Sequence, residues 1–238
     1  DAIYWPQSRG PETAVQMPTR LFWHTASVAT HILDDGTSFV FTGDIDDLWL
    51  RDSAAQVHPY ILMLGERQDM QLERLVAGLI LRCAFYINFD PYANAFREDT
   101  SYHFSEEQKT QLGRYGYIST YDYELDSGCY FIRMLFFFCA VREEHKVCRS
   151  PVVIKAVETM VEVWEAEQHH EAGMNAKGWR PYVYLQLSRR GKGPKSAFTG
   201  MTWTASRPSD DVSSLSYLIP SNAFAVVVLG YAGQLARR

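Results

Sequence analysis

Apolar positions along the chain recur mostly at helical intervals, and six segments carry that rhythm. In "PTRLFWHTASVATHIL" (Pro18–Leu33), Leu21, Phe22, Val28, Ile32 and Leu33 are spaced as in a helix, and Pro18 suits a first turn. "DDGTSFVFTGDI" breaks the pattern: Gly36 marks a turn and "SFVFTG" a short extended piece. From Arg51 to Glu66 the helical spacing returns through Ala54, Val57, Ile61, Leu62 and Leu64, with Asp52 or Ser53 placed to cap it. A third helix covers Asp69–Asn88 and stops before Pro91, because the residue preceding a proline avoids the helical region. Glu124–Glu144 is nearly all apolar in "CYFIRMLFFFCAV", which predicts a helix covered on several sides. Pro151–Gln168 forms a fifth, and "PSNAFAVVVLGYAGQLARR" a sixth with Pro220 and Ser221 at its start. Almost no strand is predicted.

Two connections are very long: the polar "REDTSYHFSEEQKTQLGRYGYISTY" after Arg97, and the irregular stretch from Glu171 to Ile219. Such connections are unusual in compact domains unless they carry function. Here they hold nearly all the clustered polar residues, the layout of a helical barrel whose loops build a site at one end. No sequence period of roughly 20 to 50 residues is visible, which argues against a solenoid.

Composition narrows the function. The 238 residues are 47% hydrophobic and 21% charged, enough for a sizeable core in one large or two small domains. A net charge of -5 argues against a nucleic-acid surface, which shows a basic stripe; "SRRGKGPK" (Ser188–Lys195) reads as an exposed Gly-rich loop. No apolar run reaches the ~20 residues of a membrane helix, and "DAIYWPQSRGPE" lacks the charged and apolar regions of a leader. There is no Asn-x-Ser/Thr acceptor, so the compartment stays open. Cys83, Cys129, Cys139 and Cys148 form no Cys-x-x-Cys pair; free buried thiols are the default and one disulfide remains open.

Three clusters join carboxylates to aromatics where a loop meets a helix: "TGDIDDLWLRDSAAQVHPY" (Thr42–Tyr60), "YDYELDSGCY" (Tyr121–Tyr130) and "GMTWTASRPSDDVSSLSYLIPSN" (Gly200–Asn222). A sugar site needs that mixture. Asp and Arg bond vicinal hydroxyls, and an aromatic face covers the C–H side of the ring. Hydrolysis adds two carboxyl groups, one protonated for the leaving oxygen and one ionised to activate water. Asp126 is the candidate proton donor, since desolvation beside the most apolar helix favours its neutral form, while the helix N-terminus pulls the other way. The plain alternative makes Asp126 or Ser127 an N-cap and leaves Glu124 on the loop surface.

Other readings compete. Asp44, Asp46 and Asp47 could be a solvated acidic turn, and Arg207, Asp210 and Asp211 a surface salt-bridge cluster beside Pro208, although Trp203 favours a site. A calcium loop is opposed by the missing Gly and terminal Glu of an EF-hand. His24 and His31 would share a helix face at the core edge, and "HHEA" (His169–Ala172) is not His-Glu-x-x-His. "DIDD" (Asp44–Asp47) has the Asp-x-Asp-Asp form of cyclases that protonate an isoprenoid, but the polar residues around Arg51 and Asp210 do not suit a hydrocarbon. A third reading is a non-catalytic sugar-binding module or inactive relative, whose acidic groups serve recognition only.

The motifs "TGDIDDLWLRDSAAQVHPY", "DPYANAF", "YELDS", "TGMTW", "RPSDD" and "YLIPSNAFAVVVL" follow one another as in glycoside hydrolase family 125, which the chain resembles from about Pro18 onward. The resemblance implies an exo-acting α-mannosidase that removes α-1,6-linked mannose with inversion and without a metal ion or other cofactor. It further implies an all-α (α/α)6 barrel. Asp126 matches the general acid; Asp44, Trp49, Arg51 and Asp52 match the segment lining the mannose subsite; Asn94, Arg207, Asp210 and Asp211 are expected in the same pocket. Asp46 and Asp47 depart from the family pattern of small or apolar residues after "GDI", which weakens the cyclase reading. A six-hairpin barrel needs twelve helices, and six are visible. The family's general base, a Glu in a "HES"-like motif, has no counterpart here. Residues 1–238 are therefore expected to form a single, incomplete catalytic domain, about the N-terminal half of the barrel. The remainder would come from a C-terminal half of the same polypeptide or from a second chain. The expected partner is an α-mannoside glycan, with no nucleic acid and no membrane segment.

Overall fold

The computed structural model describes residues 16–43, 45–101, 116–172, 178–184, 186–209 and 211–237. Six long helices dominate: α1 (Gln16–Ser27), α2 (Leu50–Glu66), α3 (Met70–Phe89), α4 (Leu125–Val141), α5 (Pro151–Glu167) and α6 (Ile219–Leu235). They coincide with the six predicted helices apart from their ends. A 3-10 turn, Lys146–Arg149, and a helical turn, Ser188–Gly191, complete the helical elements among the described residues.

The packing follows the apolar faces. α2 lies against α4, α3 against α5, and α4 against α6, so α4 is covered from several sides as its composition predicts. Leu125, Phe131, Ile132, Met134, Leu135 and Phe138 of α4 are all buried. Asp69 starts α3 by accepting hydrogen bonds from the backbone N–H groups of Gln71 and Leu72, a cap that satisfies donors with no intrahelical partner. The expected caps of α2 and α4 differ. Trp49 and Glu124 occupy the N-cap positions without a side-chain cap bond, and Asp52 and Asp126 lie inside the first turns.

Two small sheets complete the fold; the extended piece expected at "SFVFTG" supplies one strand, and the others fall where the apolar pattern reads helix or loop. α1 ends at Ser27, and β1 (Thr30–Ile32) pairs antiparallel with β2 (Ser38–Val40), Thr30 opposite Val40. The β-branched residues Thr30 and Ile32 favour strand, and Gly36, at φ +78°, supplies the left-handed turn between them. His31 is therefore on a strand, 3.1 Å from Glu98 Oε2, and not on a helix face with His24. The second sheet has the order β3 (Leu48–Trp49), β4 (Ala95–Phe96) and β5 (Ile118–Thr120). Leu48 pairs with Phe96, and Phe96 with Ile118, with a register irregularity between Ala95 and Phe96. Strands this short show no two-residue alternation, so the sequence hides them. Their effect is large: they tie three remote segments into one edge.

Cys139 and Cys148 form a disulfide between the end of α4 and the 3-10 turn, whereas Cys83 and Cys129 are free and buried. The default of four free thiols is thus corrected at one pair. No helix among the described residues is long and apolar enough to cross a membrane.

Candidate active site

The three-stranded sheet delivers the first cluster to the second. After Trp49 the chain enters α2, with the Leu50 N–H donating to Asn94 O at 3.1 Å. After β5 it runs through Tyr121–Glu124 into α4. Asn94 is buried between them: its Oδ1 accepts from Thr120 Oγ1 at 2.6 Å and from the Asp122 N–H at 3.1 Å. Arg51 in the first turn of α2 thereby meets the first turn of α4.

The charges that meet there are mostly out of water. Arg51 Nη1 donates to Glu124 Oε2 at 2.8 Å and stands 3.8 Å from Asp126 Oδ2; its Nε lies 3.4 Å from Asp52 Oδ2. Glu124 is 2% exposed and Asp126 4%. Ser127 Oγ adds a second donor to Glu124 Oε2 at 2.9 Å. Burial pushes the Glu124 carboxyl up to about 7 against the pull of Arg51, and the nearby Asp126 adds to the rise. The Arg51 guanidinium is held above its usual value by Glu124, Asp52 and Asp126, although burial works against it.

Glu124 is the residue for which the sequence left a place on the loop surface open. Its partner, Arg51, lies 73 positions away, so no local pattern shows that it is buried. The spacing Glu124-x-Asp126, with Ser127 one position later, was the available signal: two acids and a hydroxyl opening an apolar helix.

The third cluster supports the same helix start. Thr204 Oγ1 accepts from the Leu125 N–H at 3.2 Å and stands 3.2 Å from Tyr123 O and 2.9 Å from Ser206 O. The N–H groups of Ala205 and Ser206 both donate to Tyr123 O. Behind them Trp203 is fully buried, and its N–H donates to Glu167 O at 3.1 Å. Trp203 stacks on His170 with ring centroids 3.7 Å apart, and His170 Nδ1 is 2.6 Å from Glu167 Oε2. Tyr92 Oη also donates to Glu167, at Oε1, 2.9 Å away. This Glu167–His170 pair, absent from the sequence reading, anchors the long loop to the end of α5. Trp203 is accordingly a packing element of the site wall, its ring turned toward His170.

The remaining expected residues divide. Trp49 is half-buried at the end of β3, paired with Ala95. Asp52 is beside Arg51, as above. Arg207 and Asp211 are exposed and ion-paired with each other, Ser209 Oγ joining at 3.0 Å. They sit one residue beyond the Ser206–Val212 bridge, on the rim and not in the buried cluster. Asp44 and Asp210 lie outside the described residues. Asp46 is exposed, and Asp47 accepts a hydrogen bond from Ser119 Oγ.

Comparisons with known proteins agree on one relationship. The family described as metal-independent alpha-mannosidase (GH125) matches residues 12–238. Among curated proteins, the chain is 29% identical over 240 residues to the meiotically up-regulated gene 157 protein of Schizosaccharomyces pombe, covering 92% of this chain and 45% of that protein. Among solved structures, it resembles a metal-independent alpha mannosidase from Streptococcus pneumoniae in a non-productive complex with alpha-1,6-mannobiose. There the identity is 36% and the TM-score 0.76, over 90% of this chain and 49% of that one. The chain thus spans about half the length of the relatives it matches. The cyclase alternative is overturned by the family match. With Arg51, Glu124 and Asp126 gathered at the junction of two helices and the match running over nearly the whole sequence, the chain belongs to glycoside hydrolase family 125, the metal-independent α-mannosidases.

Proposed function

We propose that this chain carries the acid half of an exo-acting, inverting α-1,6-mannosidase built on an (α/α)6 barrel. Asp126 is the general acid. The observation that carries the reading is the position of Asp126: nearly buried, in the first turn of α4, facing Arg51 across the junction with α2. In the reaction Asp126 gives its proton to the glycosidic oxygen as the bond from C1 to that oxygen breaks. Water attacks C1 from the opposite face and loses its proton to a general base outside this chain. The shortened glycan leaves with the donated proton, and mannose leaves with inverted configuration.

Trp49, Arg51, Asp52 and Asn94, with Asp44, would line the subsite for the terminal mannose. Arg207 and Asp211 would approach it from the rim, and Asp210 is proposed for the same pocket on the family resemblance alone. Residues 1–238 would then be one incomplete catalytic domain. The apolar outer face of α6, where Val226 is 71% exposed, would meet the rest of the barrel.

Asp126→Asn in the full-length polypeptide tests the assignment. We expect turnover of α-1,6-mannobiose to fall by about 10²- to 10⁴-fold while binding persists, as for loss of a general acid. Normal turnover in that variant would remove Asp126 from the role. Proton NMR of the first mannose released should show the β anomer; the α anomer would rule out inversion. Saturable mannose binding by the wild type with no turnover would favour the lectin-like reading instead.

A further inference from the structure

Among the described residues, two buried carboxyl groups and one half-exposed one surround the Arg51 guanidinium. Glu124, Asp126 and Asp52 share Arg51, so three negative charges would face one positive charge if all were ionised. With Glu124 and Asp126 almost entirely out of water, the pair retains a proton toward neutral pH, since like charges resist a second ionisation. The geometry is not symmetric. Glu124 Oε2 has the short contact to Arg51 Nη1, 2.8 Å, and a second donor in Ser127 Oγ at 2.9 Å. Asp126 Oδ2 stands 3.8 Å from the same nitrogen. An oxygen accepting from both a guanidinium and a hydroxyl is suited to the ionised form.

We propose that Glu124 is a positioning residue that occupies the Arg51 guanidinium, so that the proton of the pair stays on Asp126 for delivery to the leaving group. The inference rests on Asp126 being the general acid. Its physical content is a division of charge: Arg51 neutralises Glu124, and Asp126 faces a pair that is nearly neutral. Among the described residues, Tyr123 and Cys129 also lie near Asp126; burial drives both upward, so they stay neutral and do not compete for Arg51. Neither Glu124 nor Arg51 takes up the transferred proton.

Glu124→Gln keeps the shape and removes the charge. Both consequences act in one direction: a negative neighbour is lost, and Arg51 is freed to stabilise the Asp126 carboxylate. The alkaline limb of the pH profile of kcat/KM, which reports deprotonation of the acid, should therefore move to lower pH. An opposite charge at this range is worth about 1 to 3 pH units; we expect about 1 to 2 units, or at least about tenfold loss above both limbs. The full-length polypeptide is assayed on two substrates. α-1,6-Mannobiose needs the proton, and 2,4-dinitrophenyl α-mannoside, whose phenolate leaves unaided, does not. Loss on mannobiose with the aryl substrate unchanged to within about twofold is the expected result. An unmoved alkaline limb, or equal loss on both substrates, would overturn it. Ser127→Ala, which weakens the hold on Glu124 without removing a charge, should shift the limb the same way by less; it is read in place of Glu124→Gln should that variant fail to fold. Asp126→Asn in the same assay separates the two ideas. If it spares mannobiose, the general acid itself is misassigned; if it behaves as an acid knockout while Glu124→Gln and Ser127→Ala keep wild-type profiles, the charge division alone is wrong.

Discussion

Leu125 holds the first position of α4, and its backbone N–H, which no intrahelical carbonyl can reach, donates to Thr204 Oγ1. The hydroxyl arrives from a loop 79 positions away and does the work of the missing side-chain cap. Thr204→Val keeps the shape and leaves that N–H buried without an acceptor, so it should cost about 1 to 3 kcal/mol in urea unfolding. Glu124 sets a second expectation at this scale. Burial beside Asp126 pushes its carboxyl up to about 7, above the ordinary 4.5, so the folded Glu124–Asp126 pair binds its shared proton more tightly than the unfolded chain does. The resulting stabilisation is fully present below about pH 4.5 and is lost as pH rises through about 7, at most about 3 kcal/mol. The unfolding temperature should fall between pH 5 and pH 8, and Glu124→Gln should flatten that fall. A slope unchanged in the variant would place the linkage elsewhere.

At the scale of elements, α3 and the β1–β2 hairpin approach each other closely at Gly78. A Cβ at Gly78 would come within 2.4 Å of Ser38 Oγ and 2.9 Å of the Ser38 nitrogen. Gly78→Ala should therefore force the hairpin off the helix and cost about 1 to 3 kcal/mol, read by chemical denaturation. Arg82 clamps the same hairpin from α3 through Asp35 and Thr37, both at 2.9 Å. The crosslink between Cys139 and Cys148 closes a loop with a separation of nine residues; reducing it should cost about 2 to 3 kcal/mol, seen as a lower unfolding temperature in thiol. Helices such as α4 and α5 were legible because their apolar periodicity runs over many residues. β3, β4 and β5 were not, since two or three residues carry no period and their pairing is set by contacts far along the chain. The same limit applied to the site. The place of Asp126 in the first turn of an apolar helix was legible, whereas the burial of Glu124 and the Glu167–His170 anchor depend on residues that only the fold brings near.

For the whole molecule, α6 is the exposed apolar side. It is apolar around its circumference, yet only Ser221, Ala225 and Val228 of the helix are buried among the described residues, and nearby Leu215 is 82% exposed. A helix hydrophobic all round belongs in an interior. Residues 1–238 should self-associate in sedimentation velocity, and Val226→Lys should reduce that association. A stable, well-behaved monomer of the unaltered segment would argue against a covering partner. The Cys139–Cys148 bond adds a consequence of another kind. Glutathione keeps such pairs open in most cytosols, so protein made there would carry two thiols at the end of α4, whereas passage through an oxidising lumen would close them. Where the polypeptide matures would then decide how firmly that helix end is tethered.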